Sequence, residues 1–584
     1  GNVQIAKDQS VWPIRVTTGV NRGYQKDFLR DGKLVEFTAA CGPVIYRGDN
    51  FPDAFRGNAF VAEPSANLVR RNILTEQNGI VTATNAYDRA EFLASTDERF
   101  RPVNLYNGPD GALYVVDMYH GIIQHRTYMT TFLRRQVEAR ELDKHVGLGR
   151  IYRIVHEGTK PAKPPRLAKA STAELVKALS HPNGWWRDTA QRLLVEQADP
   201  SGVRRLQALA TSGTEPLGRL HALWTLSGMR RLDEATLRAA LGDTHSKVRA
   251  AAIRLYEPFA HAQPAAATRL RALLKDPSAD VQWQLALSLG ELKDDEALQE
   301  IATAFPTHPY IRDAVISGLG GRELEFIERL LASKTWNEPM DGREAFLRSL
   351  ARCVITERKT ERVNRLLELA SAQEGNSHWR QIALLDGLLG AVPAAPKGKP
   401  ESKPKTVELT AEPPALATLQ KSTAPDTKAR TERLAQALTW PGKPQPAVTA
   451  AQPLTAAQQK RFDVGKELYV VTCGACHQPH GNGQEGLAPP LRDSDWSTGS
   501  PQRLIRIALH GLRGPITVNG RPYQLEMPSM GVLDDEHLAS IMTYIRREWG
   551  HTSSAIDPEQ IAQIRKATEN RDESWTEPEL LRFQ

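Results

Sequence analysis

Cysteine is scarce: the 584 residues include only 4, too few to staple a chain of this length, which excludes a disulfide scaffold. Long apolar runs are missing too. A membrane-crossing helix needs about 18 apolar residues in succession, and the nearest approach, Ile382 to Val392, is broken by Asp386 and ended by Pro393. Charge of one sign is also in short supply. The 75 Lys and Arg face 68 Asp and Glu, a net of +7, thinly spread rather than gathered in a basic stripe, which disfavours nucleic acid as a partner. Neither an initiator Met nor a charged-then-apolar leader opens the sequence, which begins Gly1-Asn2-Val3; this reads as an export signal removed or a beginning missing. What is present, 40% hydrophobic and 24% charged residues, is ordinary globular material for three or four domains.

Two of the cysteines fall together, in Cys473-Gly474-Ala475-Cys476-His477. C-x-x-C-H is the attachment signature of c-type haem. Thiols three positions apart can each add to one of two vinyl groups on a haem edge, and the next residue offers its imidazole to the iron. A zinc site would need about four ligands, and no second Cys/His pair is near. A thioredoxin-like pair should follow a strand in a βαβ setting, which the surroundings do not supply. An electron carrier needs a sixth iron ligand, commonly a Met thioether. Met527, Met530 and Met542 follow the motif. Met542 shares helical spacing with Leu538, Ile541, Ile545 and Trp549 and reads as core. Met527 precedes Pro528, whose fixed φ restrains the loop, and is the favoured ligand; Met530 comes next, with His510 as a bis-imidazole alternative.

From Leu454 to Trp549 the sequence resembles a small single-haem cytochrome c. A helix begins at Leu454-Thr455 and carries Phe462, Gly465 and Tyr469; Gly486 to Leu491 reads GLAPPL; Met527-Pro528 leads into Leu533-Asp534-Asp535-Glu536 and a last helix with Tyr544. The resemblance implies that the first and last helices cross at Gly465 beside the aromatic residues. It also implies that the backbone carbonyl of Pro489 or Pro490 accepts a hydrogen bond from the His477 ring. Gln478, where many relatives carry Gly, is a departure. Gly481, Gly483 and Gly486 fit G-x-G-x-x-G, but the dinucleotide fingerprint belongs between a strand and a helix, so these glycines read as loop.

Between Ser171 and Leu389 a repeat is visible. Arg187, Arg219, Arg249 and Arg312, with Gln282 or its neighbour in the fourth place, each stand near the start of an apolar-periodic helix. Helix pairs that cannot bury their own apolar face stack on the next pair, so residues 168–391 read as an α-solenoid, which resembles HEAT-like repeats. The recurring Arg residues read as bridges between repeats; Trp185, Trp186, Trp224, Trp283 and Cys353 read as core. Residues 392–450, opening on the Pro/Lys-rich Pro393 to Pro404, read as a linker with a helix possible over Leu416 to Leu438. Residues 451–550 are the expected cytochrome c domain, and 551–584 a helical extension.

Residues 1–158 differ in texture, with short β-rich runs and the turn Pro109-Asp110-Gly111 feeding Ala112 to Asp117, as in blades of a β-propeller. Phe100-Arg101-Pro102-Val103, Gly108 to Tyr114 and Gly149-Arg150-Ile151-Tyr152-Arg153 resemble the C-terminal end of the propeller in soluble quinoprotein sugar dehydrogenases. About three blades fit this length, so the ring cannot close from this segment alone. The order of propeller, helical repeats and cytochrome resembles the large haem-binding dehydrogenase-like proteins of Planctomycetes, which have a longer amino-terminal region; the resemblance implies a fragment or truncated product. Relatives tend to carry a second Cys where Ala62 stands, so Cys41 is expected to lack a disulfide partner. His120, His125 and Arg126 read as surface loop residues, and Asp117 as a turn cap.

The expected fold is therefore multidomain: a partial all-β propeller, an α-solenoid and an all-α cytochrome c domain. The expected function is exported, periplasmic electron transfer through one haem c to a redox partner protein, with a further protein partner possible on the solenoid. In a full-length form the resemblance implies a pyrroloquinoline quinone (PQQ)- and Ca²⁺-dependent sugar or alcohol dehydrogenase; a solenoid scaffold with a haem sensor is the alternative.

Overall fold

A computed structural model describes residues 4–8, 10–15, 29–30, 33–34, 36–123, 131–160, 163, 165–390, 407–443, 453–484, 488–523 and 526–583. His125, Arg126, Gly486 and the segment 393–404 lie outside the described residues. No helix among the described residues is long and apolar enough to cross a membrane.

The amino-terminal region is built from antiparallel meanders. Cys41–Ile45, Ala59–Glu63, Leu68–Gln77 and Ile80–Asn85 pair in sequence order, and Leu93–Ala94 adds to the third strand. A second sheet joins Pro102–Asn107, Leu113–Asp117 and Arg150–Ile154. Strict alternation along Leu113–Asp117 turns Leu113 and Val115 inward, where they meet Phe60 and Val69 of the first sheet and Tyr46, which follows its first strand. Two stacked meanders are found among the described residues instead of three blades, and they form no closed propeller. Cys41 is a free thiol with Ala62 directly opposite it in the register. Asp117 caps its turn, accepting from the backbone N–H of Arg101 at 2.7 Å and of Tyr119 at 2.8 Å. Arg101 in turn donates to the carbonyls of Pro64, His120 and Gly121.

The solenoid alternates helices of two layers. One layer includes Gly184–Gln197, Pro216–Gly228, Ser246–Ala262, Ala279–Glu291 and Pro309–Leu319. Apolar residues at three- and four-residue spacing feed one continuous core from Leu167 to Leu438. The recurring polar residues act at the turns. Arg219 donates to Gly213 O at 2.7 Å and makes a forked pair with Asp243 of the next turn; Arg249 repeats this with Asp243 O and Asp276. Gln282 replaces the charge with three bonds to Leu273, Leu274 and Asp276 carbonyls. Arg312 departs from the pattern, pairing with its neighbour Asp313.

Three expectations need correction. Trp224 and Trp283 are 37% and 39% exposed, not core, because their helix positions face outward from the stack. Cys353 is only half-buried. Residues 407–443 are not a linker: the helix expected over Leu416 to Leu438 is present as two, Pro414–Gln420 and Pro425–Ala437, which with Val407–Glu408 paired parallel to Leu438–Thr439 form a last layer. Val407, Leu409, Leu419 and Leu434 of this layer belong to the solenoid core. Proline at the first turn of both helices starts each of them, which is why a Pro-rich stretch folds here.

Sheets and solenoid are joined at two places. Asn183, the cap of Gly184–Gln197, donates to Gly108 O at 3.0 Å, and Gly184 N donates to Arg47 O at 2.8 Å. Farther along, Lys247 pairs with Glu76, and His308 Nε2 lies 2.7 Å from Asn78 O. The hairpin between Leu68–Gln77 and Ile80–Asn85 thus rests on the starts of two solenoid helices.

Candidate haem-attachment site

The carboxy-terminal domain is organised around a helix crossing. Ala456–Thr472 opens with a capping box between Thr455 and Gln458, and Asp535–Arg547 opens on the Asp534 cap. They meet at Gly465, where a Cβ would sit 1.9 Å from Ser540 O. Phe462, Tyr469 and Trp549 surround Tyr544, with ring centroids 5.4, 5.2 and 5.6 Å away.

The C-x-x-C-H residues follow the first helix without a break. Cys473 N donates to Tyr469 O at 2.9 Å, and His477 N donates to Cys473 O at 2.9 Å, so the short helix Gly474–His477 sets both thiols and the imidazole on consecutive turns. Neither thiol is in a disulfide. Burial pushes both thiols up from their ordinary range. His477 is 7% exposed, and burial lowers its proton affinity, which favours the neutral imidazole that binds metals. Its Nδ1 lies 2.8 Å from Pro489 O. That contact leaves Nε2 for a ligand and fixes the ring, as an outer partner does for a metal-bound histidine. The carbonyl at the ring is therefore that of Pro489, with Pro490 next in the chain. Tyr469 donates to Gln478 O at 2.9 Å and holds the turn after the motif. Gly481 and Gly483 lie in the loop behind it at φ of 70° and 68°. No strand among the described residues leads into that loop, unlike a dinucleotide fingerprint.

The three methionines have different surroundings. Met542 is 2% exposed inside Asp535–Arg547. Met530 is 8% exposed and packs with Leu504, Leu538, Met542 and Ile561. Met527 is partly exposed, in a loop pinned by reciprocal backbone bonds to Leu512 of 2.8 and 3.0 Å. His510 gives its Nε2 to Thr568 Oγ1 at 2.7 Å. The structure thus brings Cys473, Cys476, His477 and Pro489 together and sets Met527 in a separate apolar cluster with Leu512 and Trp575. Sequence reasoning passed over Trp575 and Glu526. Burial drives the Glu526 carboxyl up to about 7, against the lowering by its bond from Ser574. Only the isolation of an aromatic residue in a polar tail could have marked Trp575.

Two free thiols followed directly by a buried, neutral imidazole are the donors through which haem c is attached and ligated on one face. Comparison with known proteins agrees. Residues 460–545 match the family described as cytochrome C oxidase, cbb3-type, subunit III, residues 234–320 match HEAT repeats, and residues 2–158 match a domain of unknown function, DUF7133. Over 90 residues, 15% of this chain, the sequence is 36% identical to cytochrome c-552 of Thermus thermophilus, covering 68% of that protein. A second cytochrome c-552, from a particular strain of the same organism, is equally similar, over 60% of its length. The gluconate 2-dehydrogenase cytochrome c subunit of Pantoea cypripedii is 33% identical over 106 residues, 18% of this chain and 24% of that one. Covalent haem c follows from the domain, as does a redox partner; with HEAT repeats in its middle and this domain at its end, the chain belongs to the cytochrome c family.

Proposed function

We propose that the protein is an exported, periplasmic electron carrier in which Cys473 and Cys476 hold one haem c, His477 and Met527 are the axial ligands, and Pro489 orients His477. The bound haem would supply single-electron transfer between ferrous and ferric states. The chain's own contribution is placement and water exclusion. Pro489 O fixes the imidazole tautomer at 2.8 Å, and the Leu512 pairing limits the travel of Met527. Met527 is favoured over Met530 because the Met530 side chain is committed to the core, and over His510 because Thr568 occupies that ring nitrogen. The observation that carries the reading is the buried His477 ring, oriented by Pro489, directly after two free thiols. Maturation in a host competent for cytochrome c should give pigment that resists acidified acetone, lost in Cys473→Ser/Cys476→Ser. Met527→Ala should abolish the far-red thioether-to-iron absorption band; a wild type that never shows this band refutes Met ligation.

The relative named as a gluconate 2-dehydrogenase subunit, and stacked antiparallel meanders of the kind that make propeller blades, support a further reading. In it the haem domain is the electron-accepting module of a sugar or alcohol dehydrogenase-like protein, with PQQ and Ca²⁺ bound in a full-length form. Haem reduction by an aldose or alcohol after addition of quinone and Ca²⁺ tests it; no reduction by any of them in the complete protein removes it.

A further inference from the structure

The segment beyond the family match, from Asp557 to Phe583, is not a loose extension. Its helix Pro558–Ala567 buries Ile561 completely against Met530, Leu538 and Met542. Arg565, from the last turn of that helix, donates to Gly531 O at 2.7 Å, Leu533 O at 2.8 Å and Asp535 at 2.8 Å. All three acceptors lie just after Met527. Thr568 meets His510. Farther on, Trp575 forms a single β-bridge to Leu512. Trp575 N donates to Gly511 O at 3.1 Å, and Arg513 N donates to Trp575 O at 2.7 Å. Leu512 is thereby held between Met527 on one side and Trp575 on the other. Ser574 donates to Glu526, the residue before Met527, at 3.2 Å. The Trp575 ring is buried in the same cluster as Leu512 and Met527, with the Arg571 guanidinium 3.5 Å from its centroid. Gly511 makes the narrow stack possible: its φ is 79°, and a Cβ there would meet Met527 O at 2.3 Å.

We propose that this carboxy-terminal segment is a clamp on the Met527 loop, with Trp575 and Arg565 as positioning residues for the sixth ligand. The inference rests on the reading of Met527 as that ligand. A loop that can swing away exposes the iron to external ligands and water, whereas one tied on both sides keeps its sulfur in place. Arg565 fixes the chain after Met527 through a fork of backbone carbonyls, a geometry that Lys cannot reproduce. Trp575 fixes it through Leu512.

The test uses the full, haem-loaded chain and imidazole as the competing ligand. Trp575→Ala and Arg565→Gln should each bind imidazole about tenfold more tightly than wild type, lose the far-red thioether band at lower pH and show a lowered midpoint potential. Trp575→Phe should restore most of the wild-type behaviour. Unchanged imidazole affinity and potential in both variants overturn the clamp. So does a change in Trp575→Ala that merely follows loss of helix signal while Arg565→Gln behaves as wild type. A wild type without the thioether band fails the Met527 reading itself, and is distinguished because it shows before any substitution is made.

Discussion

Replacing Gly465 by Ala sets two effects of known sign against each other. Ala is the better helix former by about 1 kcal/mol, so in an isolated helix the substitution stabilises. At this crossing the added Cβ would lie 1.9 Å from Ser540 O and 3.0 Å from Tyr544 Cβ. A carbon–oxygen contact relaxes only near about 3.3 Å, so the helices must part by more than about 1 Å. The obstacle is backbone in the middle of Asp535–Arg547, not the end of a flexible side chain, and it cannot turn aside. Separation loosens the packing of Phe462, Tyr469 and Trp549 around Tyr544. Overpacking of this kind costs about 1–3 kcal/mol, and against a backbone obstacle the upper end applies, so after the helix-propensity gain of about 1 kcal/mol a net loss of about 1–2 kcal/mol is expected. Denaturant unfolding followed by Trp fluorescence and by the haem Soret band should show the lower midpoint with an unchanged denaturant slope. A midpoint equal to or above wild type would refute the crossing.

Two further outcomes concern the solenoid. Burial lowers the pKa of His221 to about 4, helped by Arg187 and opposed by Asp188. The folded value lies below the unfolded one, so His221 is neutral in the fold; its contribution is complete above about pH 6.5 and is lost as pH falls toward 4. His221→Phe should flatten the fall in stability across that window, by up to about 3 kcal/mol, measured as urea midpoints from pH 7 to 4; parallel curves would contradict it. Arg219→Ala leaves the buried Asp243 without its forked partner, the two side chains being 9% and 8% exposed. About 3 kcal/mol of destabilisation is expected, read as a drop in thermal midpoint and as faster amide exchange in Pro216–Gly228.

Much of this architecture was legible because repetition leaves a mark on sequence. The recurring Arg at helix starts, the Gly465 crossing and the C-x-x-C-H run each depend on local spacing. The misses share a different cause, which is tertiary compensation. Leu68–Gln77 carries two arginines inside its apolar run, a poor strand signal taken alone. In the fold Arg70 is neutralised by Glu91, with both side chains 2% exposed, and Arg71 is held by Asn58 and by Phe55, 3.5 Å from its ring centroid. The Pro/Lys-rich Pro393 to Pro404 makes residues 392–450 read as a linker with a helix only over Leu416 to Leu438, yet Val407, Leu409, Leu419 and Leu434 join a core already formed by the preceding helices. Trp575 looked incidental because its partners, Gly511 and Arg513, lie some sixty positions earlier in the chain.

The folding back of residues 407–443 shortens the leash on the haem-bearing domain. Between Gly442-Lys443, at the edge of the last solenoid layer, and Pro453, ahead of the first cytochrome helix, only residues 444–452 intervene. Whatever route they take, ten peptide steps reach no more than about 35 Å. The redox centre therefore cannot lie far from that rim. A donor or acceptor protein that settles on the rim gains access without having to capture a freely diffusing cytochrome.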